Sequence, residues 1–349
     1  MDTWVKVQNI EVVNATALFF LAILSAVVLK TLAFIFIPFT ISLLICYALG
    51  KPLNFLQRCH VPTFLRIIII VTFVLMVIYL FGRLVTVNIK ELQSQLPMFE
   101  EKFWEYTRKI LDSLDMTPAE VKEIYESFWG NFQQTRLKPL GSMVKYFSGS
   151  FFAFMGNMVW VILFLIFMLA EREGFYDKVR NSFGDQRAEP VIKTLNDINR
   201  SVQNYLGLKV LISLFTGILV TLALNFFNTP FALLWGVLAF VLNFIPNIGS
   251  MIAGVPPVLL TFFQNGSLSE AFLVIVVFAA IQFCIGNLLE PKLMGKGLNL
   301  SPLVVLFSLL FWGWVWGIPG MLLSVPLTAA LKIALEKLET TRPMALLMS

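Results

Sequence analysis

Long apolar runs, separated by short polar segments, make up most of this chain of 349 residues. A run of about 20 apolar residues is long enough to cross the hydrocarbon core of a bilayer as a helix. The pattern therefore predicts an all-α, polytopic membrane protein with about eight transmembrane segments. The number of spans could differ by one from eight. Only Lys30 and Thr31 separate the first two runs, and two later runs are too long for one straight helix. The runs cover residues 15–29, 32–49, 67–87, 151–170, 206–227, 231–263, 271–289 and 303–335.

Two longer polar segments interrupt this pattern. Between residues 90 and 148 apolar side chains recur at helical spacing among balanced charges, which predicts a helical extramembrane arm with one helix beginning near Pro118. Residues 171–204 mix both charge signs and predict a short cytoplasmic helical connection. We therefore divide the chain into N-terminal membrane spans (1–89), the arm (90–148), a fourth span with the connection (149–204), and a C-terminal transport half (205–349).

Composition and charge agree with a membrane protein and indicate its orientation. The chain is 58% hydrophobic and 13% charged, whereas about 25% of residues are charged in ordinary globular proteins. Residues 51–66 carry three basic side chains and no acidic one, which predicts a cytoplasmic loop. Counting spans from that loop places both termini in the cytoplasm and the arm outside. Lys292 and Lys296 then fall on the outer side, unless they belong to a re-entrant segment.

Several functional classes lack support in the sequence. The first apolar run has no positively charged segment before it, so we expect no cleaved signal peptide. Three distant cysteines and one histidine indicate neither a disulfide framework nor a metal site. The sequence contains no HExxH, GxSxG or phosphate-loop motif, so we expect no enzyme, no cofactor and no nucleic-acid partner. Without a nucleotide-binding motif, uphill transport would have to use an ion gradient.

Helix breakers interrupt the apolar pattern at three places in the C-terminal half. An unsatisfied backbone group is costly in hydrocarbon, so non-helical backbone persists there only inside protein or beside a wet cavity. A proline removes one backbone donor and crowds the carbonyl four residues back. We therefore predict helix breaks at Pro246, Pro291, Pro319 and Gly320, although kinks and turns at the membrane surface would explain each break as well. The three clusters are NFIPNIGS (243–250), GNLLEPKLMGKGLNLSP (286–302) and FWGWVWGIPGMLLSVPLT (311–328).

Polar residues near these breaks form a candidate substrate path. Amide side chains offer both donors and acceptors to a neutral polar solute. Alternatively, any one of them only bridges two helices. The predicted path consists of Asn243, Pro246, Asn247, Gly249, Ser250, Gln282 and Asn287.

Glu290 is the most informative single residue. It and Glu270 are the only acidic residues between positions 206 and 335, and an ionisable group at membrane depth indicates function by default. We expect Glu290 to hold a proton or cation for ion coupling, with Lys209, Lys292 or Lys296 as its partner. The alternative is a carboxylate at the membrane surface paired with Lys292.

The two overlong runs contain a partial echo of each other, with unequal intervals. If the echo is a true repeat, two broken segments would meet at one site, as in many secondary transporters; chance in so biased a composition would also produce it. The echo consists of Trp235, Gly236, Ile245, Pro246, Val255 and Pro256, followed by Trp312, Gly313, Ile318, Pro319, Val325 and Pro326.

The three clusters, together with YLGLKVLISLFTGILV (205–220), resemble the autoinducer-2 exporter family of bacterial membrane proteins over essentially the whole chain. The segments LLWGVLAFVLNFIPNIGS, NLLEPKLMG and GMLLSVPL carry this resemblance, and Asn243, Asn247 and Glu290 are most similar to the quorum-sensing exporter subgroup. The resemblance implies a homo-oligomeric transporter of the bacterial inner membrane, with five protomers, that moves a small signal by an elevator-like motion. Other members of the family are similar in activity to sodium/proton antiporters.

Three functions follow as hypotheses. The leading one is a secondary transporter that exports a small polar molecule, autoinducer-2, along the predicted path. The first alternative is a sodium/proton antiporter in which Glu290 titrates. The second alternative is a membrane scaffold or sensor whose arm binds a partner, and this hypothesis leaves the three breaks in the apolar pattern unexplained.

Overall fold

The computed structural model describes residues 23–113, 158–172, 174–245, 248–294, 300–337 and 341–349, together with residues 16, 20, 21 and 156. These parts of the chain are helical and contain no strand, which confirms the predicted all-α membrane fold. The predicted helix near Pro118 lies outside the described residues. The helices are α1 Ile23–Thr31, α2 Ala33–Ala48, α3 Gly50–Arg58, α4 Thr63–Ser113, α5 Met158–Glu171, α6 Phe175–Phe183, α7 Asp185–Phe226, α8 Ala232–Leu242, α9 Ile248–Asn265, α10 Leu268–Gln282, α11 Glu290–Met294, α12 Pro302–Trp316, α13 Ile318–Lys337 and α14 Arg342–Leu347.

Four stretches in the described ranges are long and apolar enough to cross a membrane. They are Thr63–Leu92 in α4, Ala188–Phe226 in α7, Leu268–Leu293 from α10 to α11, and Ile318–Glu336 in α13. The first two predicted spans form instead one bent pair, α1 and α2, with an angle of 91° between them. Helix α4 continues through residue 90 without a break, so its first part crosses the membrane and its last part belongs to the predicted arm.

Each overlong apolar run folds as two helices joined by a tight turn. The run at 231–263 forms α8 and α9, and the run at 303–335 forms α12 and α13. Helix α8 has 11 residues, or about 16 Å at 1.5 Å per residue, which is about half the thickness of the hydrocarbon core. Helix α8 is therefore too short to cross the membrane as a straight span.

The described residues divide into two compact units, each built from distant segments. One unit comprises residues 1–48, 160–203 and 298–349, and the other comprises 49–159 and 204–297. This partition differs from the four consecutive regions that we derived from sequence, and that division stays a prediction. The unit with residues 204–297 has its apolar core between α7, α8, α9 and α10, formed by Val220, Leu224, Ala232, Trp235, Ala239, Ala253, Leu260, Val274 and Phe278.

In that unit the last part of α4 contacts the turn between α9 and α10. The Lys102 ammonium donates a hydrogen bond of 2.7 Å to the carbonyl oxygen of Gln264 at the end of α9. The rings of Tyr106 and Phe262 pack with their centroids 5.2 Å apart. A cation at a helix C-terminus satisfies free carbonyl groups and complements the helix dipole, so this contact stabilises the end of α9.

In the other unit, the turn between α12 and α13 contacts α1. Chain reversal takes place at Gly317, which has a φ of 64°. The Trp316 indole donates a hydrogen bond of 2.9 Å to the Leu29 carbonyl oxygen, and the Lys30 ammonium lies 4.1 Å from the centre of the Trp314 ring. The α12–α13 turn therefore contacts α1 close to the bend between α1 and α2.

The two helix pairs share one packing feature, although they belong to different units. A Cβ atom on Gly249, near the start of α9, would overlap the Leu242 carbonyl oxygen, and one on Gly320, near the start of α13, would overlap the Trp312 carbonyl oxygen. In each pair a glycine lets the second helix start against the last turns of the first. These two glycines are not members of the sequence echo, which stays a prediction.

Candidate transport site

A stripe of buried polar side chains runs along one face of α7, within its membrane-spanning part. Tyr205, Lys209, Ser213 and Thr216 are spaced by four, four and three residues, so they share one helix face. Their exposed fractions are 7%, 5%, 0% and 1%. Buried polar groups need partners, and the stripe contacts two other elements of the same unit.

The first contact is an ion pair between Lys209 and Glu290. The Lys209 Nζ lies 2.6 Å from Glu290 Oε1, and the side chains are 6% and 25% exposed, respectively. Lys292 is exposed and makes no ion pair with Glu290 among the described residues, and Lys296 lies outside them. Of the three partners left open by the sequence, the structure therefore shows Lys209.

Glu290 follows a π-helical segment, Phe283–Leu289, that connects α10 to α11. Single π-helical turns inside α-helices are rare and occur frequently at functional sites. Pro291 has no N–H and would crowd the Asn287 carbonyl in a regular α-helix. We predicted a helix break at Pro291, but the helix does not end there. The wider π-helical turns precede Pro291, and the helix continues to Met294.

The second contact joins the stripe to the α8–α9 turn. Asn243, immediately after α8, donates a hydrogen bond of 3.0 Å from Nδ2 to Ser213 Oγ. Asn243 is 9% exposed. Ser213 lies one helical turn after Lys209, so the same face of α7 holds both Glu290 and Asn243.

The other predicted path residues take no part in these two contacts. Gly249 is buried near the start of α9, Gln282 is half-buried, and Asn287 is exposed on the π-helical segment. Ser250 lies in α9, but its side chain is not described, and Pro246 and Asn247 lie outside the described residues. The structure therefore brings Asn243, Lys209 and Glu290 onto one stripe and leaves the rest of the predicted path around it.

The remaining predicted breaks, at Pro319 and Gly320, belong to the other unit. The chain reverses at Gly317, before both of them. Pro319 is the second residue of α13, where a helix needs no donor from its backbone nitrogen. Gly320 is needed for the close start of α13 against α12, so neither residue is itself the break.

Comparison with known proteins identifies the family. Residues 17–340 match the AI-2E family transporters. The chain belongs to that family. It is 34% identical to the AI-2 transport protein TqsA of Escherichia coli K12 over 319 residues, which cover 90% of this chain and 89% of TqsA. It is also 34% identical over 322 residues to a putative transport protein of Haemophilus influenzae, with 91% of each chain covered. The putative transport protein YhhT of Escherichia coli K12 is 32% identical over 314 residues, which cover 90% of this chain and 88% of YhhT.

Sequence reasoning missed three members of the stripe in this AI-2E transporter, namely Tyr205, Ser213 and Thr216. A signal was present, because polar residues at intervals of three and four in an apolar helix share one face. Serine and threonine are common in membrane helices, where they often bond to their own backbone. Their spacing from Lys209 would have distinguished them from the other hydroxyl residues of the spans.

Proposed function

We propose that this AI-2E transporter is a secondary transporter that exports a small polar signalling molecule, autoinducer-2, and that Lys209 and Glu290 couple export to an ion gradient. The carrying observation is the ion pair between buried Lys209 on α7 and partly buried Glu290, which directly follows the π-helical segment. The relative TqsA, named as an AI-2 transport protein, supports the choice of solute at 34% identity.

The coupling follows from the cost of a buried, unpaired charge. While Glu290 is ionised, it neutralises Lys209, whose side chain is 6% exposed. A proton that binds Glu290 removes this counter-charge, and a lone buried ammonium is strongly unfavourable. The protonated protein therefore favours a second arrangement in which Lys209 reaches water or another acceptor. Binding of a proton thereby shifts the balance between two conformations, as any ligand with different affinities does.

One proton is sufficient for useful export. A proton that moves through about 100 mV supplies about 2.3 kcal/mol. At about 1.4 kcal/mol per tenfold, this energy supports roughly a 40-fold gradient of a neutral solute. A single carboxylate at the site therefore matches the energetic requirement.

The wider arrangement of the proposal rests on the family resemblance and on the charge pattern. We place the protein in the bacterial inner membrane, with both termini in the cytoplasm, as a homo-oligomer of five protomers. Transport proceeds by an elevator-like motion.

Sodium/proton exchange is the second candidate function, and the same ion pair favours it. In that mechanism a sodium ion replaces the Lys209 ammonium at the Glu290 carboxylate, and a proton takes its place in the return step. The two candidates differ in what is transported. They also differ in what remains when Glu290 can no longer ionise.

Purified protein in proteoliposomes distinguishes them. Autoinducer-2 uptake and sodium-dependent proton movement are measured separately under an imposed pH gradient, for the unaltered protein, Glu290→Gln and Glu270→Gln. Glu270→Gln is a matched control. Glu270 lies in the first turn of α10, where it accepts a hydrogen bond from Asn265, and within the described residues it has no buried lysine as partner. For the exporter we expect uptake without sodium-dependent proton movement, and Glu290→Gln should keep downhill flux but lose accumulation. Sodium-dependent proton movement that Glu290→Gln abolishes, with no autoinducer-2 uptake, would show an antiporter instead.

A further inference from the structure

The hydrogen bond between Asn243 and Ser213 joins the residue that directly follows α8 to the polar stripe of α7. Ser213 has no exposed surface, and Asn243 is 9% exposed. The bond runs from Asn243 Nδ2 to Ser213 Oγ over 3.0 Å. The proposed ion coupling does not use either residue, so this contact needs its own explanation.

The backbones of α7 and α8 approach closely near this bond. A Cβ atom on Gly236 would overlap the Thr221 hydroxyl and would lie 2.6 Å from the Gly217 carbonyl oxygen. Small residues permit such approach between membrane helices. Gly217 lies one turn after Ser213 on α7, and Asn243 follows Gly236 by seven residues, or about two turns. The crossing and the hydrogen bond together fix where the Asn243 side chain lies on α7.

The hydrogen bond uses only one N–H of Asn243 and one lone pair of Ser213. An amide side chain carries two N–H donors and one acceptor oxygen, and a serine hydroxyl both donates and accepts. Within the described parts of the chain no group donates to Asn243 Oδ1, and none accepts the Ser213 hydroxyl proton. Thr216 differs, because its hydroxyl donates to the Ile212 carbonyl oxygen over 2.9 Å. The pair thus retains one acceptor, Asn243 Oδ1, and two donors, the second Asn243 N–H and the Ser213 hydroxyl, all uncharged.

We propose that Ser213 is a positioning residue that holds Asn243 so that Oδ1 accepts a hydrogen bond from a hydroxyl group of the transported solute. This inference rests on the proposed transport function and assigns it a second set of residues. Lys209 and Glu290 couple transport to the ion gradient, and Asn243, held by Ser213, recognises the solute. Uncharged groups that both donate and accept match the hydroxyl groups of a neutral solute, which also donate and accept.

The test is the concentration dependence of autoinducer-2 uptake into proteoliposomes at a fixed pH gradient. We expect Ser213→Ala to raise the KM about tenfold, which corresponds to about 1.4 kcal/mol, and to change the maximal rate less than twofold. Ser213→Thr keeps the hydroxyl and should restore the KM to within about twofold of the unaltered protein. Ser213→Cys fills the same space with a weaker acceptor and carries the same expectation as Ser213→Ala, in case the alanine variant does not fold.

Ser42→Ala is the matched control for loss of a buried serine. Ser42 is also unexposed on a membrane helix, and its one hydroxyl proton is shared between the Pro38 and Val161 carbonyl oxygens, each 2.7 Å from Oγ. This substitution should lower stability without changing the KM. An unchanged KM in Ser213→Ala and Ser213→Cys, with uptake intact, would overturn this inference and leave the transport function standing. If the unaltered protein takes up no autoinducer-2, the transport function fails and the inference fails with it.

Discussion

Breaking the Lys209–Glu290 ion pair from either side should destabilise the protein, whereas removing both charges should restore most of the stability. At the observed 2.6 Å, the attraction between two unit charges is about 6 kcal/mol at an effective dielectric constant of about 20. Desolvation of both groups offsets much of this gain, so the net contribution of the pair is far smaller. Loss of one partner is costly, at about 3–5 kcal/mol, because the other charge then stays buried alone.

The two single substitutions should differ in size. Glu290→Met leaves the Lys209 ammonium, which is 6% exposed, and Lys209→Met leaves the Glu290 carboxylate, which is 25% exposed. The more exposed carboxylate keeps part of its hydration. We therefore expect a loss of about 5 kcal/mol for Glu290→Met and about 3 kcal/mol for Lys209→Met, at the two ends of the range for broken buried pairs.

The assay is the free energy of unfolding, from titration of the purified protein with SDS in mixed micelles, followed by circular dichroism. The double variant Lys209→Met/Glu290→Met should lie within about 1 kcal/mol of the unaltered protein, since apolar replacements of a buried pair are often neutral. Lys292→Met is the control, because Lys292 is exposed and unpaired with Glu290; a surface change costs less than about 0.5 kcal/mol. If the two single losses simply add in the double variant, the two charges do not interact, and the basis of the proposed coupling is refuted.

Three further predictions concern packing at other places in the fold. Gly236→Ala should destabilise the protein by about 1–3 kcal/mol through overpacking against α7. Gly207→Ala should not destabilise it, because this glycine lies on a face of α7 with open space around it. Equal SDS midpoints for the two variants would contradict the close crossing of α7 and α8. Lys102→Met removes the cation that bonds to the Gln264 carbonyl. The rate of hydrogen exchange at the end of α9 should therefore rise by about three- to fivefold, for a loss of local stability of about 0.5–1 kcal/mol. An unchanged exchange rate would show that the contact contributes nothing. Trp316→Phe keeps the ring but removes the indole donor to α1, with an expected loss of about 0.5–1.5 kcal/mol in SDS titration; a loss near zero would mean that the turn and α1 are not held by this bond.

The helical fold and its interruptions were predictable because they depend on local pattern. Apolar runs of spanning length allow few structures other than helices in a bilayer, and the two runs longer than one span became the pairs α8–α9 and α12–α13. The place of each break was less predictable. Proline marked the α12–α13 turn, but the reversal itself is at Gly317, since a proline in the first turn of a helix is tolerated.

The candidate site was only partly predictable. A lone acidic residue in an apolar segment indicated Glu290, and its need for a counter-charge predicted a lysine partner. The sequence left Lys209, Lys292 and Lys296 as candidate partners, and Lys292 was the partner in the alternative of a carboxylate at the membrane surface. The structure shows Lys209, 81 residues away, because the face of α7 that packs toward Glu290 carries it.

The amino-acid sequence by itself determined that this protein is helical, lies in a membrane and has breaks within its long apolar runs, since hydrophobic length and periodicity are properties of single stretches of about 20 residues. Tertiary structure alone decided which polar groups meet. The Lys209–Glu290 pair and the Ser213–Asn243 bond join residues that are far apart along the chain. Helical periodicity shows that Lys209 and Ser213 share one face of α7. Which residues they meet depends on how closely α7 and the neighbouring helices can approach. At Gly217 and Gly236 that approach is set by the absence of two side chains.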